Sequence, residues 1–191
     1  STPPVKNLTS ANVISTLLIE ESIKNINPVK NNKVIIGGNF ARWYGGFQSY
    51  IVSQEINAEK WTQTSHAMRE NEQAIPDLNH LERISWLDWM RELSTFKYGI
   101  HLMPTIAAGT FSLNCAYFGI PCIGNDKGDT QTDCHPYLSV DIENIKEARN
   151  LANRLANDNK FYNDCSLIAK ELYRKKYDIK IWKEKMYNIL S

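Results

Sequence analysis

Cysteine is scarce in this chain of 191 residues, and Cys115, Cys122, Cys134 and Cys165 show no paired CxxC spacing. They read as buried free thiols of a reducing compartment. An excess of charge is also missing: 22 Lys and Arg face 21 Asp and Glu, a formal net charge of +1. That leaves no basic field to hold a polyanion, and nucleic acid is excluded as a favoured partner. No apolar run approaches the roughly 20 residues needed to span a bilayer, and no signal peptide is visible, so a cytoplasmic protein without a transmembrane segment is expected. The four histidines, His66, His80, His101 and His135, are scattered. Asp133 and His135 invite a metal or acid/base reading, but no second histidine stands at a ligand-like spacing, and no metal is expected. The glycines do not fit GxGxxG, which argues against a nicotinamide or flavin cofactor.

Length bounds the rest. The chain can bury one good core and cannot comfortably hold two Rossmann-like domains. It begins Ser-Thr-Pro-Pro-Val without an initiator methionine, so a piece of a longer protein is expected.

The organising stretch is Tyr98 to Asn125, YGIHLMPTIAAGTFSLNCAYFGIPCIGN. It reads as strand, small-residue turn, helix and strand, a βαβ unit. Ala107-Ala108-Gly109 leaves backbone amides uncovered where a helix from Thr110 to Phe118 starts, and exposed amides at a helix start attract anions. Gly119 ends that helix, Pro121 blocks its continuation, and Cys122-Ile123-Gly124 runs on as a buried strand. Ligands of open α/β sheets sit at the carboxyl ends of strands, where this turn lies, so a phosphate site is the first hypothesis. Gly109 admits three explanations: an anion approaching the backbone, a positive φ, or close packing of helix on sheet.

HLMPTIAAGTF followed by AYFGIP resembles the donor-binding half of GT-B glycosyltransferases, in particular the large retaining bacterial group, the glycosyl transferases group 1. The resemblance spans about Val34 to Ser191. It implies a Gly-x-Pro at Gly119-Ile120-Pro121, which puts Asn114 and Ile106 where that group carries two glutamates. An amide at Asn114 can still bond ribose hydroxyls, whereas Ile106 cannot orient a sugar. It also implies that the loop after Gly38 holds the donor diphosphate. The family's arginine and lysine there fall on Asn39 and Tyr44, which leaves Arg42 as the cation of the loop, either gripping phosphate or stacked on Trp43 or Tyr44. The base is implied to lie near Trp86 and Leu87, unless Trp86 is plain core.

In chain order, Ser10 caps a helix carrying Val13, Ile14, Leu17 and Leu18, and Val34-Ile35-Ile36 forms the first strand. A helix from about Phe47 to Ala58 turns Tyr50 and Ile51 inward. Trp61 to Met68 is the second strand and Leu81 to Trp86, by alternation, the third; Leu87 to Leu93 is a short helix. Residues 126 to 136 form a polar loop and Leu138 to Asp141 the last strand. Helices from Asn144 to Ala156, Asn159 to Lys176 and Ile179 to Leu190 complete the chain. His101, inside an apolar strand, is expected to be a hydrogen-bonded core histidine.

The expectation is a three-layer α/β/α sandwich around a Rossmann-like, mostly parallel sheet of about six strands with C-terminal helices. Residues 1–30 are linker and helix, 31–176 the donor-binding domain and 177–191 a final helix. The resemblance implies transfer of a sugar from a nucleotide diphosphate sugar, which enters as substrate, with no resident cofactor. Gly38, Asn39, Trp86, Leu87, Gly109, Thr110, Phe111 and Asn114 would bind the donor and Arg42 would stabilise the leaving diphosphate. The acceptor would belong to a second domain missing from this chain. A nucleotide-sugar epimerase of the same fold and a non-catalytic Rossmann-like binding module are the alternatives.

Overall fold

A computed structural model describes residues 18–38, 40, 43–63, 70–105 and 109–190. Its centre is a six-stranded sheet in the order β3-β2-β1-β4-β5-β6. The strands are β1 (Asn31–Ile36), β2 (Glu59–Gln63), β3 (Leu78–Leu81), β4 (Phe96–His101), β5 (Cys122–Asn125) and β6 (Ser139–Val140). Every neighbouring pair is parallel. Helices α1 (Gly46–Ser53), α2 (Glu70–Gln73), α3 (Trp86–Leu93), α4 (Thr110–Tyr117), α5 (Asp129–Cys134), α6 (Ile145–Asn157), α7 (Asn159–Lys176) and α8 (Ile179–Leu190) connect and cover them.

A parallel sheet covered on both faces needs apolar residues in succession, and β1 supplies Val34, Ile35 and Ile36, all buried. Alternation sends them to opposite sides. Ile35 joins a core with Met90, Leu93, Leu113 and Ala169, while Val34 and Ile36 join one with Val52, Ile100, Ala148 and Leu155. Two cores back to back make the α/β/α sandwich expected from the sequence. All four cysteines are free and buried within it.

Three elements differ from the sequence reading. The third strand is Leu78–Leu81, not Leu81 to Trp86, because the buried anchor is Leu78 and because Ser85 caps α3, its Oγ accepting the Asp88 amide at 3.2 Å. Trp86 therefore opens a helix. The polar run after β5 is not all loop, since α5 occupies Asp129–Cys134 and buries Thr130, Gln131 and Cys134. Helix α1 stops at Ser53 rather than Ala58 and turns Val52 inward, leaving Ile51 48 % exposed. The second strand is described from Glu59 to Gln63, and its expected continuation through residue 68 lies outside the described residues, as does the helix expected from Ser10. Leu18 and Ile23 are both buried in the first core.

Candidate functional site

The sheet order reverses between β1 and β4, so the crevice of the fold opens outside their carboxyl ends, at Gly37-Gly38 and His101-Leu102. The loops on its two sides are fastened to each other. Ser49 of α1 donates to the Gly45 carbonyl at 2.8 Å and accepts the Leu102 amide at 2.9 Å, and the Thr105 hydroxyl donates to the Trp43 carbonyl at 2.9 Å. Gly38 has φ +74°, and a β-carbon on it would stand 2.6 Å from the Tyr44 carbonyl oxygen. Backbone conformation and space both require glycine there.

Helix α4 starts beside this crevice with Gly109 at its cap, at φ −80° and ψ 66°. The positive-φ explanation of Gly109 is therefore wrong. A β-carbon on Gly109 would overlap the Thr130 hydroxyl, which donates to the Gly109 carbonyl at 2.7 Å and lies 2.8 Å from the Ser112 hydroxyl. So α5 is the brace of the first turn of α4. His135 adds to it, its Nε2–H donating to the Ser112 carbonyl at 3.0 Å from a fully enclosed position. Burial lowers its pKa to about 4, against the smaller opposing effect of that bond. Asp133 points elsewhere: burial pushes it up, but hydrogen bonds from Lys176 and Tyr177 outweigh that and hold it below its ordinary value. Both residues thus serve the packing of α5, and no described group of three His, Cys, Asp or Glu is arranged to hold a metal ion.

A cavity of about 360 Å³ lies alongside, lined by Leu18, Ile19, Trp86, Trp89, Thr110, Leu113 and Asn114. Trp86 of α3, 38 % exposed, and Thr110 and Asn114 of α4 are brought together here from separate elements. Leu87 is half-buried and packs against the core behind, outside the lining. Phe111 sits on the other flank of α4, its ring 5.1 Å from the His101 ring and edge-on to it. A second, small cavity of about 30 Å³ separates β4 from α5, with His101, Gly109, Ser112, Asn125 and Thr130 in its wall. Asn39, Arg42 and Ile106 lie outside the described residues.

His101 is the residue that sequence reasoning misjudged. Its Nε2 is buried and has no hydrogen-bond partner among the described residues, so it is not the satisfied core histidine that an apolar strand suggests. The signal available was its place at the last position of the strand, one step before the crevice.

No protein-family model and no curated protein matches the sequence. Solved structures do match, with low identity. AviGT4, a glycosyltransferase of avilamycin A biosynthesis, superposes with a TM-score of 0.69 over 94 % of this chain and 58 % of its own, at 10 % identity. The C-terminal domain of a glycosyl transferase group 1 family protein from Francisella tularensis superposes with a TM-score of 0.58 at 12 % identity, over 88 % of this chain and 97 % of that one. The chain has the fold of a GT-B C-terminal domain. HepE of Anabaena, solved with UDP and glucose, has a TM-score of 0.67 at 11 % identity, over 90 % of this chain and 51 % of its own. The chain therefore spans 58 % of the AviGT4 chain and 51 % of the HepE chain. None of its described helices is long and apolar enough to cross a membrane.

Proposed function

We propose that this domain is the donor-binding half of a glycosyltransferase that moves a sugar from a nucleoside diphosphate to an acceptor held by another domain. The observation that carries the reading is the cavity in which Trp86, Thr110 and Asn114 converge beside the carboxyl ends of the strands. Its volume suits a base and ribose, its tryptophan offers an aromatic face, and its buried amide at Asn114 offers a donor and an acceptor to ribose hydroxyls. The diphosphate then extends across the start of α4 at Gly109, Thr110 and Phe111 toward the Gly38 turn, with Asn39 and Arg42 following that turn in sequence. Amide N–H groups at a helix start and a guanidinium stabilise charge as it builds on the leaving diphosphate, which is the chemical task of this half. No carboxylate is among the described residues lining either cavity, which argues against the acid/base pair an epimerase needs.

Titration of the chain with UDP, GDP and ADP, followed by amide NMR, tests the reading. The expected result is weak binding of one of them, shifts clustered on α3 and α4, and no sugar transfer by the isolated chain. Trp86→Ala is expected to weaken nucleoside and nucleoside diphosphate alike by about tenfold, the worth of a stacking contact of roughly 1 kcal/mol or more. Shifts confined to other faces of the sheet would dismiss the site.

A further inference from the structure

A buried polar atom without a partner costs roughly 1 to 3 kcal/mol, so each one in a native fold calls for a reason. His101 Nε2 is such an atom, and it stands at the switch point itself. The ring of His101 lies against the first crevice glycine, where a β-carbon on Gly37 would come within 2.8 Å of its Cγ. Its Nε2 faces the second glycine, 3.4 Å from where a β-carbon on Gly38 would stand. On its other side are the edge-on ring of Phe111 and the small cavity that reaches Gly109. An imidazole so placed bridges the Gly38 turn and the start of α4, the two backbone segments between which a diphosphate would lie.

We propose that His101 is a donor-contact residue, whose Nε2–H donates a hydrogen bond to a phosphate oxygen of the nucleoside diphosphate. This rests on the donor-binding reading above and adds a residue to it that the resemblance does not supply. The local charge inventory favours it. The positions where the resemblance implies an arginine and a lysine hold Asn39 and Tyr44, and no Lys or Arg is among the described residues lining either cavity. A hydrogen-bond donor from another strand end fills part of that gap. Burial lowers the His101 pKa to about 4, so at neutral pH the ring is uncharged and carries one N–H. With that proton on Nε2, the orphaned atom becomes a donor beside the Gly38 turn. A purely packing histidine makes the opposite demand: an apolar side chain of similar size should then serve as well, or better.

The experiment compares the intact chain with His101→Leu and His101→Gln, each titrated calorimetrically with UDP, GDP and ADP and with the matching nucleosides. For the diphosphate that wild type binds, His101→Leu is expected to lose about tenfold or more in affinity, the range of a hydrogen bond to a charged group, while nucleoside affinity stays within twofold. His101→Gln, whose amide N–H reaches the same region, is expected to recover to within about threefold of wild type. Should His101→Leu fail to fold, nitrogen-15 labelled histidine in wild type carries the test. The Nε2 resonance of His101 must move on adding diphosphate and stay in place on adding nucleoside. Wild-type binding with an unaltered His101→Leu affinity, or an unmoved resonance, overturns the role of His101 and leaves the donor reading standing. A wild type that binds none of the three diphosphates overturns the donor reading and this inference with it.

Discussion

The two ends of the sheet treat polar groups in opposite ways. At the amino end, lysines stand just before or within the first residues of the strands and each has company. Lys30 Nζ donates to the Ser94 carbonyl at 2.9 Å, Lys33 Nζ lies 3.7 Å from Glu92 and 4.9 Å from the Trp61 ring centre, and Lys60 is 3.5 Å from Asp77. Lys97 sits over the rings of Tyr98 and Tyr162. At the carboxyl end stand two bare glycines, two cavities and two imidazole nitrogens, His101 Nε2 and His135 Nδ1, with no hydrogen-bond partner among the described residues. Cations, the obvious lure for a phosphate, gather where the fold has already committed them to stability. Among the described residues lining the two cavities of the other end there are amides, hydroxyls and one neutral imidazole, and no Lys or Arg.

The widest departure between the ends is expected in their response to acid. Burial lowers His101 and His135 from 6.5 to about 4, so the unfolded chain takes up protons below pH 6.5 that the native state refuses until about pH 4. The stabilisation is fully present above pH 6.5 and is lost as pH falls through that window, at up to about 1.4 kcal/mol per pH unit for each histidine. Urea denaturation at pH 7 and pH 5 should show a loss of about 2 to 4 kcal/mol, and His101→Leu should remove its share of the slope. A flat profile would mean that the histidines of this end are as well satisfied as the lysines of the other.

Gly109 sharpens the comparison at the level of single contacts. Gly109→Ala is expected to cost about 2 kcal/mol, because its new methyl meets the Thr130 hydroxyl that braces α4. Adding Thr130→Ala should restore part of that loss, a coupling that a double-mutant cycle of unfolding free energies would read. Diphosphate affinity per folded molecule decides what else Gly109 does. If it falls in the double mutant as well, the backbone is approached by the ligand and not only by α5.

The smallest effect is expected at the amino end. Lys33→Met should change stability by less than about 1 kcal/mol, since a half-exposed ion pair and a contact over a ring are each worth little. Nucleotide affinity should not change at all. A measurable loss of diphosphate binding in this variant would mean that the ligand-binding end has been misassigned.

Much of this architecture can be read without coordinates, and the exceptions share a cause. The βαβ unit around Gly109, together with α7 and α8, announces itself because glycine, proline and long amphipathic stripes act locally. Helix α5 does not, because what it buries is Thr130, Gln131 and Cys134, and Gln131 earns its burial only by donating to the Cys122 and Leu138 carbonyls. Alternation in Leu81 to Trp86 was a false strand signal, outweighed by the cap at Ser85 that was equally present in the sequence. At the candidate site, Trp86, Thr110 and Asn114 could be nominated from the resemblance and are found around one cavity. The unpartnered state of His101 could not, because the absence of a partner is a property of everything around a residue.

The pairing of β1 with β4 also sets an order in time. Lys30 and the Ser94 carbonyl it meets are 64 residues apart, and Ile36 faces Ile100 across the same pair of strands. A contact so distant in sequence closes a large loop before it gains anything, and such pairings form late. During synthesis, β1, β2 and β3 can find one another as soon as they emerge, whereas the crevice has no second wall until β4 has followed. The crevice is thus the last part of the sheet's centre to come into existence, and any variant that slows that closure leaves the exposed edge of β1 open to other chains in the meantime.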